Sequence, residues 1–258
     1  MQLTATALVL TALPHGEHGA VVRFLTPEDG VQAGYVRGGR SRRLRPVLQP
    51  GNLVAVELRA RVEEQLAAAT VELVTSRAGL VFDRTSAAAT EWLTALTAAT
   101  LGEGQAQARL YAALDALFAA MAAGTTSMQA AAGVARYELL LLGELGFGLD
   151  LETCAATGTR DDLAYVSPRS SQAVSAAAGA PYAAKLLPLP ALLRDTRAPI
   201  DTGDIVAALT TTGWFVEREL LTGSAAGLRP ARARFVEIVR NAGETMAPAR
   251  VAPGPPTS

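Results

Sequence analysis

The apolar residues of this chain change their period partway along. Up to about residue 77 they fall in short runs rich in β-branched side chains, and from about Ser86 they recur at intervals of three and four. A chain patterned in this way needs a strand-built unit followed by a helix-built one. In the first part, residues 7–13, 19–26, 31–37, 53–61 and 66–75 read as five strands. The fourth alternates, with Val54, Val56 and Leu58 on one face and Glu57, Arg59 and Arg61 on the other, the pattern of a half-buried strand. Residues 27–30, PEDG, have turn chemistry: the proline presets φ and the glycine is free to take φ > 0. Five short strands joined by turns predict a small closed barrel, of the OB type or SH3-like, over residues 1–80.

In the second part, Leu110, Leu114, Leu117, Phe118 and Met121 form the stripe of an amphipathic helix over 105–123. Another helix starts at Ser127 as N-cap, runs through Val134, Tyr137, Leu141 and Leu145, and stops where Gly146 and Gly148 break it. Asp201 and Asp204 open a third through Ile205, Leu209, Val216 and Leu220, and Pro230 begins the last. The expected architecture is therefore an α+β chain of two units, the barrel and an all-α unit over 81–243. Within the second unit, 151–180 lacks a sustained period and reads as an irregular insertion; 244–258 reads as a disordered tail.

Composition narrows the function. At 258 residues the chain can bury a core without disulfides, and no stretch approaches the roughly 20 apolar residues that cross a bilayer. No basic residue precedes the apolar run at 5–13, as a secretory leader would require, and the lone cysteine, Cys154, suits a reducing cytoplasm. A formal net charge of −1 excludes binding to polyanions by bulk charge, so any nucleic-acid contact must come from a local patch.

Such a patch exists. Arg37, Arg40, Arg42, Arg43 and Arg45 fall in nine residues without an acid, between two strands. A guanidinium donates two parallel hydrogen bonds to phosphate and stays charged, and small barrels bind single strands in a groove edged by such loops. Arg23, Arg59 and Arg61 extend the patch from strand faces, and Tyr35, in phase with Arg37, is the candidate for stacking on a base; Phe24, in phase with Val22, reads as core. With so few aromatics, backbone-directed binding is expected rather than base reading. The alternative is a loop kept soluble by charge, its arginines bound to nothing. His15, Glu17 and His18 supply zinc-ligand chemistry but sit in a glycine-containing turn that gives no rigid ligand facing, so they read as a polar turn. There is no GxSxG, P-loop or GxGxxG motif, and no catalytic residue is expected.

Four segments in order, residues 7–43, LQPGNLVAVEL, RYELLLLGELGFGLDLETCAATG and DDLAYVSPRSSQAVSAAAGAPY, resemble the bacterial recombination and repair mediator family RecO, over most of residues 5–240. The resemblance implies an N-terminal OB domain, a helical C-terminal domain and no enzymatic activity. It implies binding of single- and double-stranded DNA, annealing of complementary strands, and work at the nucleoid with RecR and single-stranded-DNA-binding protein to load RecA. Many members carry a four-cysteine zinc site after a segment like LGFGLD. Here Cys154 aligns with one ligand, and Thr157, Ser175 and Ala178 with the others, so zinc is not expected as a cofactor. Asp161, Asp162, Ser167 and Ser170 are the turn-makers expected to hold that region instead. The tail of a bacterial single-strand-binding protein is acidic and ends in an apolar residue with a free carboxylate, so its receptor needs an apolar pocket beside a cation. Arg136, Tyr137 and Leu140 are the candidates, Arg136 and Leu140 being four apart on one helix face; core packing of Tyr137 is the alternative.

Overall fold

The structure, a computed structural model, describes residues 2–62 and 65–246, the side chains of 244–246 excepted. Five strands, β1 (Gln2–His15), β2 (Gly19–Thr26), β3 (Gly30–Val36), β4 (Leu53–Arg59) and β5 (Ala67–Thr75), close into a barrel in the order β1-β2-β3-β5-β4. Strand β1 closes it by serving two neighbours: Gln2 to Leu8 pair with β4 and Leu8 to His15 with β2, with a register shift between Val9 and Thr11. Extra residues at such a bulge bend a strand and sharpen its twist, which lets one strand turn the corner. Strands β3 and β5 run parallel and every other pair antiparallel, an OB-like arrangement.

Alternation explains why Ala7 to Leu10 are all buried. Ala7 and Val9 enter the barrel interior with Val22, Phe24, Val54, Val56 and Leu58, whereas Leu8 and Leu10 belong to the core shared with the helices. The barrel thus packs one outer face against helix α1 (Arg84–Thr100). Helices α2 (Ala108–Ala122) and α3 (Ser127–Glu144) follow, the latter capped by Thr126 and Gln129 in a reciprocal box one residue before the expected Ser127. Gly146, at φ 86°, ends that turn as expected. Asp201 caps α5 (Thr202–Phe215) by accepting the Asp204 N–H at 2.7 Å, and α6 (Arg229–Met246) starts one residue before Pro230. Because α6 reaches Met246, the first positions of the expected tail are helical; 247–258 lie outside the described residues.

Between α3 and α5, where the sequence shows no period, the chain forms a sheet. Strands β6 (Asp150–Cys154), β7 (Leu163–Val166), β8 (Gln172–Ser175) and β9 (Leu187–Pro188) lie in the order β6-β8-β7-β9, with the single turn α4 (Ala176–Gly179) after β8. Leu151, Leu163, Val166 and Ala173 join the same core as the helices, so this region is a wall of the helical unit. Strands of two to five residues are too short for alternation to show in the sequence. The expected turn-makers are at work here: Asp162 sits at φ 51° and Ser167 Oγ accepts the Ser170 N–H at 3.2 Å.

Candidate nucleic-acid interface

The arginine-rich segment after β3 is a folded plug. Arg45 and Leu48 donate their N–H groups to Ser41 and Leu44, at 2.9 and 3.0 Å, and the Ser41 hydroxyl accepts the Leu44 N–H at 3.2 Å. This helical turning sets Leu44 and Leu48, four apart, on one side. Leu48 is buried in the barrel interior and Leu44 and Val47 pack against it, so the segment closes one end of the barrel. Asn52, buried, fixes the far end by donating to the carbonyls of Pro46 and Val47 and accepting the Arg77 N–H at 2.8 Å.

With its apolar side inward, the plug holds Arg37, Arg40, Arg42, Arg43 and Arg45 exposed. Among the described residues none places a carboxylate within ion-pair distance of these five. Arg40 donates to the carbonyls of Glu17 (3.0 Å) and Gly16 (3.4 Å), tying the plug to the β1–β2 turn. Beside it lies a cleft of about 540 Å³ walled by Ala12, Ala20, Arg40, Arg45, Gln49 and Pro50 among others. Tyr35 is half-buried and its ring covers Gly19, where a Cβ would stand 2.3 Å from the ring. His15 meets that ring edge-on, with centroids 5.7 Å apart and planes at 76°. The turn at His15, Glu17 and His18 thus contributes an aromatic neighbour to Tyr35, which no feature of the sequence indicates.

The strand arginines differ from those of the plug. Arg23 turns to the seam between barrel and helices, where its Nη2 lies 3.3 Å from Glu103 and its buried Nε has no partner among the described residues. Arg59 is held by Glu57, its Nε and Nη2 at 2.9 and 2.6 Å from one carboxylate oxygen. Both stand beside a carboxylate of the chain, unlike the arginines of the plug; Arg61 is exposed.

On the far unit, Arg136 and Leu140 do share a cleft, of about 460 Å³, with Arg109, Leu139 and the segment 192–196. Arg136 donates to the carbonyls of Leu192 and Thr196, both at 3.2 Å, and so fastens the opposite wall. Arg109 and Arg194 stand at the same cleft; being distant in sequence, they gave no signal. Tyr137 does not belong there. It is buried, its hydroxyl 2.7 Å from Thr97 Oγ1, and burial holds its pKa far above the usual tyrosine range. Tyr137 lies about 100° round the helix from Arg136, on the side of α3 that packs against α1.

The positions aligned with a zinc site come together in part. Cys154 Sγ accepts the Ser175 N–H at 3.3 Å and lies 3.5 Å from Ser175 Oγ. Hydrogen bonds from the Ser175 and Thr157 hydroxyls and the Ser175 N–H pull the thiol down to about 6, against its burial. One thiol with two hydroxyls and the methyl of Ala178 is not a zinc donor set, and the hydroxyls bond the sulfur itself.

Two family models match the chain: Recombination protein O N terminal over residues 1–77, and Recombination protein O C terminal over residues 81–224. Their boundary falls where the barrel gives way to the helices. The chain is 45% identical over 237 residues to a DNA repair protein RecO of Rhodospirillum rubrum, covering 90% of this chain and 94% of that one. It is 44% identical over 233 residues to one of Caulobacter vibrioides, covering 90% and 95%. With one of Methylorubrum extorquens it shares 42% over 246 residues, covering 92% and 98%.

Proposed function

The chain belongs to the RecO family of DNA repair proteins, and on that premise we propose that it is a recombination mediator without catalytic residues. In this reading it binds single- and double-stranded DNA through the plug, anneals complementary strands, and works in the cytoplasm with RecR and single-stranded-DNA-binding protein to load RecA. The observation that carries it is the plug: five exposed arginines, free of carboxylate partners among the described residues, held on a rigid turn at the end of an OB-like barrel. Guanidinium groups carried on a folded turn meet a phosphate backbone at a lower ordering cost than those of a flexible loop, and read no bases. A salt titration of oligonucleotide binding tests it. If all five engage a single strand, log K against log salt has a slope up to about −3.5, at roughly 0.7 per neutralised phosphate. Replacing the five by alanine is expected to flatten the slope and weaken binding alike on all sequences; an unchanged slope removes the plug from the DNA site.

Arg40, with two carbonyls as partners, favours a second reading in which the barrel is a protein-interaction adaptor and its arginines only brace loops. Salt-insensitive or absent DNA binding would select that reading.

For the acidic tail of single-stranded-DNA-binding protein, the cleft of Arg136 and Leu140 supplies an apolar floor beside Arg136 and Arg194, while Arg109 is paired with Glu144 and Asp195 stands at the same wall. Arg136→Ala is expected to lose about 1.5–3 kcal/mol of tail-peptide affinity, the range for a hydrogen bond to a charged group, with DNA binding by the barrel intact. Equal affinity in the variant would remove Arg136 from that site.

A further inference from the structure

Strands β3 and β5 close the barrel over three residues: Gly34, Tyr35 and Val36 pair with Ala67, Ala68 and Ala69. Past Val36 the chain turns off at Gly38, φ 68°, into the plug, while β5 runs on along β4 to Thr75. Residues 70–75 therefore have a strand on one side only. Paired strands direct their N–H and C=O groups to alternate sides, so half of those groups point where β3 has left. Among the described residues nothing bonds them there, and no hydrogen bond of the plug reaches them. The side chains mark the same place. Leu73 is paired with Val54, fully buried in the barrel, and so lies on the interior side of the wall, yet it is 43% exposed. Val74, the extra residue of the register shift opposite Leu53 and Val54, is 53% exposed. On the outer side Glu72 has no cation within ion-pair distance among the described residues. The stretch reads TVELVT, four β-branched residues with a leucine and one charge, and a bare edge of that composition is a template for strand pairing.

We propose that the free edge of β5 is completed by an extended segment of a partner protein, added as a strand in the place that β3 leaves. A ladder of alternating N–H and C=O groups selects polypeptide over DNA, whose backbone carries acceptors and no donors. Side chains of an added strand alternate, so one face sets an aliphatic residue on Leu73 and the other a basic residue opposite Glu72. Two other occupants fit less well. A second copy of the barrel meeting this one edge to edge over six residues falls short of the roughly 1,200 Å² that a stable interface buries, whereas a lone segment also lays side chains on both faces of the wall. Residues 247–258 hold four prolines, each without the N–H that a ladder needs. The proposal is independent of the DNA reading of the plug.

The test uses the full chain and a fluorescent, N-acetylated and C-amidated octapeptide, Thr-Val-Lys-Val-Thr-Val-Lys-Val, read by anisotropy. A companion peptide N-methylated throughout keeps the side chains and loses the donors. Wild type is expected to bind the first peptide, and Leu73→Lys, Glu72→Lys and the companion each to weaken binding by about tenfold, through a charge on the edge, like charges across the pair, or a broken ladder. Backbone amides within 70–75 are expected to exchange more slowly with the peptide bound. Both substituted positions are exposed, and circular dichroism checks that each variant keeps its fold. Replacing the five plug arginines by alanine is expected to leave peptide affinity unchanged; loss of binding there would put the probe on the plug and overturn the proposal. Failure of wild type to bind, equal affinity in both edge variants or for the companion, or protection that spares 70–75 also overturns it. So does a wild-type dimer in sedimentation that Leu73→Lys dissociates, which would give the edge to a second copy.

Discussion

Glu138 on α3 is fully buried and joins four helices. It accepts from Trp92 Nε1 of α1 at 2.8 Å, from the Thr212 hydroxyl of α5, and from Arg232 Nε and Nη2 of α6 at 2.9 and 2.8 Å. A buried carboxylate is tolerable because every lone pair finds a donor, one of them charged. Removing it strands the Arg232 guanidinium, itself buried, so Glu138→Ala is expected to cost about 3–5 kcal/mol by urea denaturation. A loss below about 1 kcal/mol would show that water replaces the carboxylate. Its neighbour Tyr137 makes a pH prediction. Its folded pKa lies above the unfolded value of 10.0, so its contribution is complete below pH 10 and is lost as pH rises through the folded value. Alkaline unfolding is therefore expected to be shallower in Tyr137→Phe than in wild type; identical pH profiles would deny the buried phenol that role. Arg136 and Leu140 were legible as one face because four residues bring a helix round about once; Tyr137 was not, because its burial depends on α1, which packs against that side of α3.

At the level of elements, legibility followed length and contrast. Strands β2 to β5 stood out because seven to nine residues suffice for alternation to show against polar turns. Helix α1 has an apolar stripe of Ala88, Ala89, Trp92, Leu93 and Leu96, yet the sequence obscured it with Thr90, Thr94 and Thr97, all buried. These threonines can be buried because each donates its hydroxyl to the carbonyl four residues back, at 2.7–2.8 Å, so a residue that reads as polar behaves as a methyl-bearing one. The plug was legible as a charged run, but its rigidity was not, since Leu44 and Leu48 gain meaning only against the open end of a barrel. The small sheet β6–β9 packs into the shared core, and the positions aligned with a zinc site supply one thiol bonded to neighbouring groups of the chain. Chelator is accordingly expected to leave the melting temperature unchanged. Stoichiometric zinc that survives dialysis and is lost in Cys154→Ser would contradict this.

For the whole molecule, the decisive feature is the seam. Leu8, Leu10, Leu25 and Val31 of the barrel lie in one continuous core with the helices, and Arg77 on the strand side pairs with Asp115 of α2. The β2–β3 turn is pressed against the α1–α2 connection: Gly104 donates its N–H to Val31 at 3.1 Å, and a Cβ at Gly30 would stand 1.8 Å from the Gln105 carbonyl oxygen. Gly30 also sits at φ 63°, which an L side chain rarely adopts. Two units sharing a core are expected to melt in one calorimetric transition, and Gly30→Ala to lower that transition by several degrees, about 2–4 °C per kcal/mol at this size. Two separated transitions would show that the family-model boundary is also a boundary of cooperativity.

The burial of Trp92 has a spectroscopic consequence. The chain has two tryptophans. Trp92 is sealed among the helices with its indole N–H on a carboxylate, while Trp214 is 37% exposed beneath the Arg218 guanidinium, 4.4 Å from the ring centroid. The two indoles therefore report on different events without any label: the blue-shifted emission follows loss of the interior, and the quenchable red-edge emission follows what happens at the surface around α5. Trp214→Phe leaves an unmodified optical channel for folding, and Trp92→Phe one for the exterior.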